Sequence, residues 1–269
     1  VNTSNKPGAH ASTIGGINLL PETEKQAIYT RLIPPELLQR FGISASLTDE
    51  QERSLVELNC QPGSGDASMA LYHEYGFPDP ILYGHLTDTL TGQIHVLLYI
   101  LNDPHSPRFD VDRMPDGRTT RFGTLVRNLE AERAALEAGL APGQVRSGMR
   151  LLPSAVAAFE EFVQSLGHDL YFVEPLYYHN AIIFERYGFA YQVGRKLMER
   201  IQAGFSKRGE LLPLLDGSTP FRQPEAANSI RLRSWAIHDG LLGQPYTNVT
   251  MYKRVDKSSG ISTCSNCAW

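Results

Sequence analysis

GQVRSGMRLLPSAVAAFEEFVQSLGHDLYFVEPLYYHNAIIFERYGFAYQ, residues 143 to 192, is the stretch whose reading decides the fold of this 269-residue chain. Ala155, Phe159, Phe162, Val163 and Leu166 recur at helical spacing, with Glu160, Glu161 and Gln164 on the other side. Pro153 fits a helix that starts near Leu152, because proline is tolerated in the first turn. Gly167 suits the left-handed residue that closes a helix. Residues 169 to 174 are β-rich, mostly apolar and too short for a helix; they read as a buried strand ending at Pro175. Asn180 is placed to cap a second helix containing Ile182, Ile183 and Phe184, which Gly188 stops. Residues 189 to 192 read as another strand. Helices alternating with strands after a glycine turn make an α/β unit.

The reading extends outward from there. Residues 93 to 101, Gln-Ile-His-Val-Leu-Leu-Tyr-Ile-Leu, form the strongest strand pattern, and with 81 to 85 they predict a hairpin turning at Thr91-Gly92. A further short strand is expected at 108 to 112. Thr124 is expected to cap a helix from Leu125 to Glu137, with Leu125, Leu129 and Leu136 inward and Arg127, Glu130, Arg133 and Glu137 outward. Residues 1 to 18 read as a flexible lead. Helical patterns occupy 21 to 32, 36 to 41 and 49 to 58, and a strand occupies 248 to 254. Ala70 to Phe77 repeats the aromatic, Glu, Tyr, Gly, Phe pattern in miniature, which is read as coincidence because helical sequence precedes it. The expected fold class is α/β (α+β), a mixed twisted sheet flanked by helices. One domain is expected: a helical extension over 1 to 60, a core over 61 to 255 with an insertion at 195 to 247, and a mobile polar tail over 256 to 269.

The formal charge of -4 argues against a dedicated nucleic-acid partner. No apolar run approaches the roughly 20 residues of a membrane span, so no membrane partner is expected. No signal-peptide pattern opens the chain, and Cys60, Cys264 and Cys267 make no disulfide framework. These features set a cytoplasmic expectation.

Phe184-Glu185-Arg186-Tyr187-Gly188-Phe189, preceded by the strand at 170 to 173, resembles the helix tail of the acetyl-coenzyme-A-dependent N-acetyltransferase (GNAT) superfamily. That family's pyrophosphate loop is matched here at Gly148, while Gly143 and Arg146 depart from its pattern. The helix at 125 to 137 is a second departure, since the family's strand runs almost directly into the loop. The resemblance covers about a quarter of the chain. It implies an acyl-CoA N-acyltransferase-like fold and acetyl-CoA or another acyl-CoA as co-substrate. It also implies transfer to a small-molecule or peptide amine. Val145, Arg146, Ser147, Gly148, Met149 and Arg150 would line the pyrophosphate, with Asn180 and Phe184 beside the coenzyme. A homodimer is left open, and a catalytically silent binding or regulatory domain on the same fold is the alternative.

Acyl transfer needs a base for the amine, a donor toward the developing oxyanion and an acid for the departing thiolate. Glu174, at the end of the cleft strand, is the base candidate, with His179 as another. The family's acid position holds Phe184, which has no proton to give, so Tyr187 or Tyr178 would serve. His238-Asp239 is adjacent in sequence but without a location. Asp110 and Asp112 make a weak metal argument, and no metal site is expected. Cys264-Ser-Asn-Cys267 has the gap of a zinc or redox pair. It is expected in an exposed tail, where replacing both cysteines costs within about 1 kcal/mol.

Overall fold

A computed structural model describes residues 11–120, 126–265 and 267–269. The helices are α1 (Ile14–Ile17), α2 (Glu22–Tyr29), α3 (Pro35–Phe41), α4 (Leu129–Glu137), α5 (Leu152–Ser165), α6 (Tyr178–Arg186), α7 (Arg195–Gly204) and α8 (Ile230–His238). The strands are β1 (Val56–Asn59), β2 (Asp66–Leu71), β3 (Leu82–Asp88), β4 (Ile94–Leu101), β5 (Leu170–Val173), β6 (Ala190–Val193) and β7 (Thr250–Arg254). The fold is mixed α/β, with a twisted multi-strand sheet flanked by helices. None of the described helices is long and apolar enough to cross a membrane. The chain forms two compact units. One comprises Val1–Leu101, Arg150–Phe172 and Arg254–Asp256; the other comprises Asn102–Met149, Val173–Lys253 and Lys257–Trp269.

In the first unit β1 to β4 form an antiparallel meander, and β5 follows β4 in strand order. The hairpin expected from the 93 to 101 pattern is β3–β4, with a register shift at His85/Leu86. The other flank of β5 is also occupied, since Val255 N–H donates to Asp169 O at 2.9 Å. The strand is therefore not an open edge. Helix α5 starts at Leu152 with Pro153 in its first turn, as the sequence predicts. It ends in a paired-carbonyl stop: His168 N–H reaches Val163 O and Gly167 N–H reaches Gln164 O. Its buried face meets aromatic rings: Phe159 lies edge-on to Tyr99 at 4.9 Å and stacks on Tyr171 at 5.8 Å, and Phe162 stacks on Tyr29 at 6.5 Å.

Two sequence expectations fail in this unit. Residues 11 to 18 are not a loose lead: Ile14 and Ile17 are fully buried; the rest of that expected lead, residues 1 to 10, lies outside the described residues. Asp88 accepts the N–H groups of Ile14 and Gly15, anchoring α1 to the end of β3. Residues 49 to 58 are not a helix either. Asp49 gathers the N–H groups of Gln51 and Arg53, offering the backbone a turn in place of a helix. Val56, Glu57 and Leu58 then pair with Leu71, Ala70 and Met69.

In the second unit α6 and α8 pack together, and β6 pairs antiparallel with β7. A core of Val111, Ala135, Leu140, Phe221 and Trp235 sits beside them. Trp235 stacks on Phe221 at 5.2 Å and donates its indole N–H to Leu140 O. Residues 108 to 112 are not a strand. Arg108 pairs with Asp110 and Asp112, and Phe109 N–H donates to Val145 O. Helix α4 begins at Leu129 with Asn128 as its cap, through Ala131 N–H. The expected cap Thr124 lies outside the described residues. The inward face of α4 is Glu132 and Ala135, while Leu129 is 55% exposed.

The terminal segment also departs from its expectation. Ser259 N–H donates to Gly188 O, and Thr263 donates through N–H and Oγ1 to Glu185. Ile230 N–H donates to Ala268 O. Cys264 and Cys267 form a disulfide and are buried, at 3% and 9% exposure. The polarity of the tail is spent on α6 and the start of α8, which composition does not reveal.

Candidate functional site

The second unit carries the residues singled out from the β5–α6 junction. Glu174 leaves β5 exposed, and the chain runs extended to Tyr177 before turning into α6. Asn180 caps this helix from within, as the third helical residue in a capping box, and the N-cap residue itself is Tyr177. Asn180 accepts the Tyr177 N–H at 3.2 Å, reaching back across the first turn. Tyr178 is buried, with its hydroxyl at 3.5 Å from the Arg233 guanidinium. Burial raises the Tyr178 phenol above its ordinary range despite that cation. His179 is buried too, with Nδ1 at 2.9 Å from Ser234 Oγ. Loss of solvent, with a smaller push from His238, holds the His179 pKa down at about 3, so the ring is neutral near pH 7.

The far end of α6 has a different role. Gly188 N–H bonds Glu185 O, and Phe189 N–H bonds Phe184 O. The Phe184 and Phe189 rings meet at 5.0 Å. This is a complete helix stop: two reversed hydrogen bonds, a glycine at φ +82° and an apolar clasp. The motif behind the family resemblance thus has a local structural function. Tyr187, the last residue before the glycine, is half-buried and stands roughly 13 Å along the helix axis from Tyr178. Glu174 and Tyr187 flank opposite ends of α6 and are not brought together.

The loop at 143 to 149 is fastened to residues 103 to 109. Asp103 N–H donates to Ser147 O, and Ser147 N–H donates to Ser106 Oγ. Arg146 is buried, and its guanidinium donates to Pro104 O and Ser106 O. Met149 is buried, Val145 is half-buried, and Gly148 and Arg150 are exposed. Arg150 adopts φ +60°, a left-handed turn just before α5. Gly143 is required by contact: a Cβ there would lie 2.3 Å from Tyr177 Cε2.

A second cluster lies among α4, α8 and Tyr177, and sequence reading missed most of it. The buried Glu132 carboxylate receives Arg127 and, at 3.1 Å, His238 Nε2. Asp239 receives Arg127 at 3.2 Å, Arg222 Nε at 2.9 Å and Thr219 Oγ1 at 2.9 Å. Burial pushes Glu132 up, but the hydrogen bonds and charges of His238 and Arg127 outweigh it and leave the carboxyl below its usual range. Desolvation likewise disfavours the Arg127 charge, and Glu132 with Asp239 more than restores it.

A void of about 30 Å³ touches Arg127, Glu132, Gly143, Tyr177 and His238, enough room for a water molecule. An open cleft of about 460 Å³ is lined by Leu129, Glu130, Arg133, Thr219, Pro220, Phe221 and Asp239. The adjacent His238-Asp239 pair was the only part of this cluster visible in sequence. Arg127, expected outward, is largely buried by its two carboxylates. Among the described residues no group of three or more His, Cys, Asp or Glu side chains could hold a metal ion. No family model, no curated protein and no solved structure matches the chain.

Proposed function

We propose that the chain is an acyl-CoA-dependent N-acyltransferase, moving an acetyl or other acyl group to a small-molecule or peptide amine. The observation that carries this reading is the element succession. An antiparallel meander, β1 to β4, is followed by α4 and α5, by β5 with an exposed carboxylate just past its end, by α6, and by β6 and β7, which pair with α7 and α8 between them in the chain. In this reading Glu174 accepts the amine proton, directly or through water. The coenzyme pyrophosphate lies against the exposed loop at Gly148. Tyr178 is too buried, and Tyr187 too far along α6, for either to stand beside Glu174 at the surface. The thiolate therefore leaves without a placed acid, which costs roughly 10²–10⁴-fold in rate without forbidding the reaction.

A second reading, a coenzyme-binding or regulatory domain without turnover, is favoured by two observations. Phe184 is used in the helix stop. The Arg146 guanidinium and the Ser147 N–H are used in fastening the loop. Calorimetry with coenzyme A tests both readings: millimolar or tighter affinity is expected, and none at millimolar ligand removes both. Thiol release from acetyl-coenzyme A across a panel of amines separates them. Turnover lost in Glu174→Gln with binding retained supports the enzyme. Tight binding with no turnover on any amine moves the assignment to the regulatory reading.

A further inference from the structure

We propose that Cys264 and Cys267 form a thiol–disulfide exchange site, with Arg233 as the cation that stabilises the Cys264 thiolate. The observation is what surrounds the two sulfurs. Arg233 Nη1 lies 3.3 Å from Cys264 Sγ. Gln202 Oε1 lies 3.1 Å from Cys264 Sγ and 3.8 Å from Cys267 Sγ. A disulfide has no proton for an amide oxygen and accepts hydrogen bonds only weakly. The reduced pair uses both neighbours. A Cys267 thiol donates to Gln202 Oε1, and a Cys264 thiolate receives the Arg233 N–H.

Arg233 is held for this role rather than swinging in solvent. Its Nε and Nη2 donate to Ala227 O, its Nη1 also donates to Gln202 Oε1 at 2.6 Å, and its plane lies over the Phe205 ring at 4.6 Å. A buried, fixed cation beside sulfur lowers thiol pKa and improves the leaving group in exchange. Cys267 is the more exposed of the pair, which directs attack to it.

The co-reactant is a small monothiol. Its thiolate attacks Cys267 Sγ, a mixed disulfide forms, and the S–S electron pair departs on Cys264 Sγ beside Arg233. A second monothiol thiolate attacks the outer sulfur of the mixed disulfide. Cys267 leaves as thiolate and takes a proton from solvent. The chain gains two electrons, and two monothiols become one disulfide. The segment that carries the pair is tied to α6 and to the start of α8 by Thr263–Glu185, Arg186–Cys267 O and Ile230–Ala268 O. Exchange thus acts on a strap over the same helix that holds His179, whose ring lies 6.1 Å from Trp269.

The test uses the full chain carrying Cys60→Ser, so that only this pair reacts. The protein is equilibrated in reduced and oxidised glutathione over a wide range of ratios, quenched with acid, alkylated, and weighed intact. The expected result is a reversible shift between zero and two alkyl groups, with circular dichroism unchanged. In the reduced protein the alkylation rate should reach half its maximum at a pH below the ordinary thiol range of about 8.5. Arg233→Gln should slow alkylation at pH 7 roughly tenfold, and Arg233→Lys should restore most of it. Should Arg233→Gln fail to fold, the pH profile of the otherwise unaltered protein decides the same point. A pair that reacts only after denaturation overturns the proposal. So does an ordinary pH profile, or stoichiometric zinc on the reduced pair.

Discussion

Two regions of the second unit contrast. The tail of α6, Phe184 to Phe189, is conspicuous in sequence, and its residues serve one another: a ring clasp, a left-handed glycine and two reversed hydrogen bonds. The cluster of Arg127, Glu132, His238, Asp239 and Arg222 is scattered over more than a hundred positions and forms a continuous ion network, partly exposed, around the buried Glu132. Local motifs report local work, here the ending of a helix. Groups whose charge must be held against desolvation are recruited from wherever the chain passes, because a buried charge needs partners more than it needs neighbours in sequence.

The contrast can be broken most directly at Glu132. Glu132→Ala leaves Arg127 and His238 facing a lost charge, and chemical denaturation should show a loss of about 3–5 kcal/mol. A loss below about 1 kcal/mol would mean the network is solvated and the comparison is wrong. Acid should act in the same sense. Free His179 titrates near 6.5 and the buried ring near 3, so between those values only the unfolded chain takes the proton. Stability from this group is complete above pH 6.5. It falls as pH drops, by up to ~1.4 kcal/mol per pH unit, and levels near pH 3. Glu132, held below its usual range, contributes above its unfolded pKa and loses that contribution as pH falls through its folded one. Urea midpoints measured from pH 7 to 4 should flatten in the upper half of this range in His179→Asn, and an unchanged slope would remove His179 as the cause.

The helix stop should respond less. Gly188→Ala places a Cβ 2.9 Å from the Ser258 backbone at φ +82° and should cost about 2 kcal/mol in thermal or urea unfolding. If Phe184 to Phe189 were ordered by a bound coenzyme rather than by its own contacts, added ligand would rescue this variant. The contacts described here predict no rescue beyond the ordinary ligand shift of the parent chain. Smallest of all should be Arg133→Ala. Its partner Glu137 lies at 3.8 Å and both side chains are exposed, so the change should stay within about 0.5 kcal/mol. Placed beside Arg127, which sits in the same region but buried, it measures how much of an ion pair's value comes from burial.

Much of the path from 143 to 193 was legible. The 3.6-residue recurrence of apolar groups marked α5, Pro153 fitted a start near Leu152 better than one at Gly148, and Gly167 and Gly188 marked its stop and that of α6. The β3–β4 hairpin was legible from its continuous apolar strand. What misled were residues whose partner is distant. Val56, Glu57 and Leu58 look helical, and only their pairing with Leu71, Ala70 and Met69 makes them a strand. Ile14 and Ile17 sit in a polar lead yet are fully buried. Arg127 looks like an outward charge on an amphipathic helix, and only Glu132 together with the distant Asp239 makes burying it tolerable.

By itself the sequence determined where the chain must turn and which stretches repeat at helical or strand spacing. Those properties depend on backbone sterics and on the side chains of a few adjacent residues. Tertiary structure alone decided that Glu132 is charged in the interior, that His179 is neutral and closed off by Ser234, and that Cys264 and Cys267 meet Arg233 and Gln202. Each of those states is set by desolvation and by the distance to a partner tens of residues away, and neither quantity exists until the chain has packed.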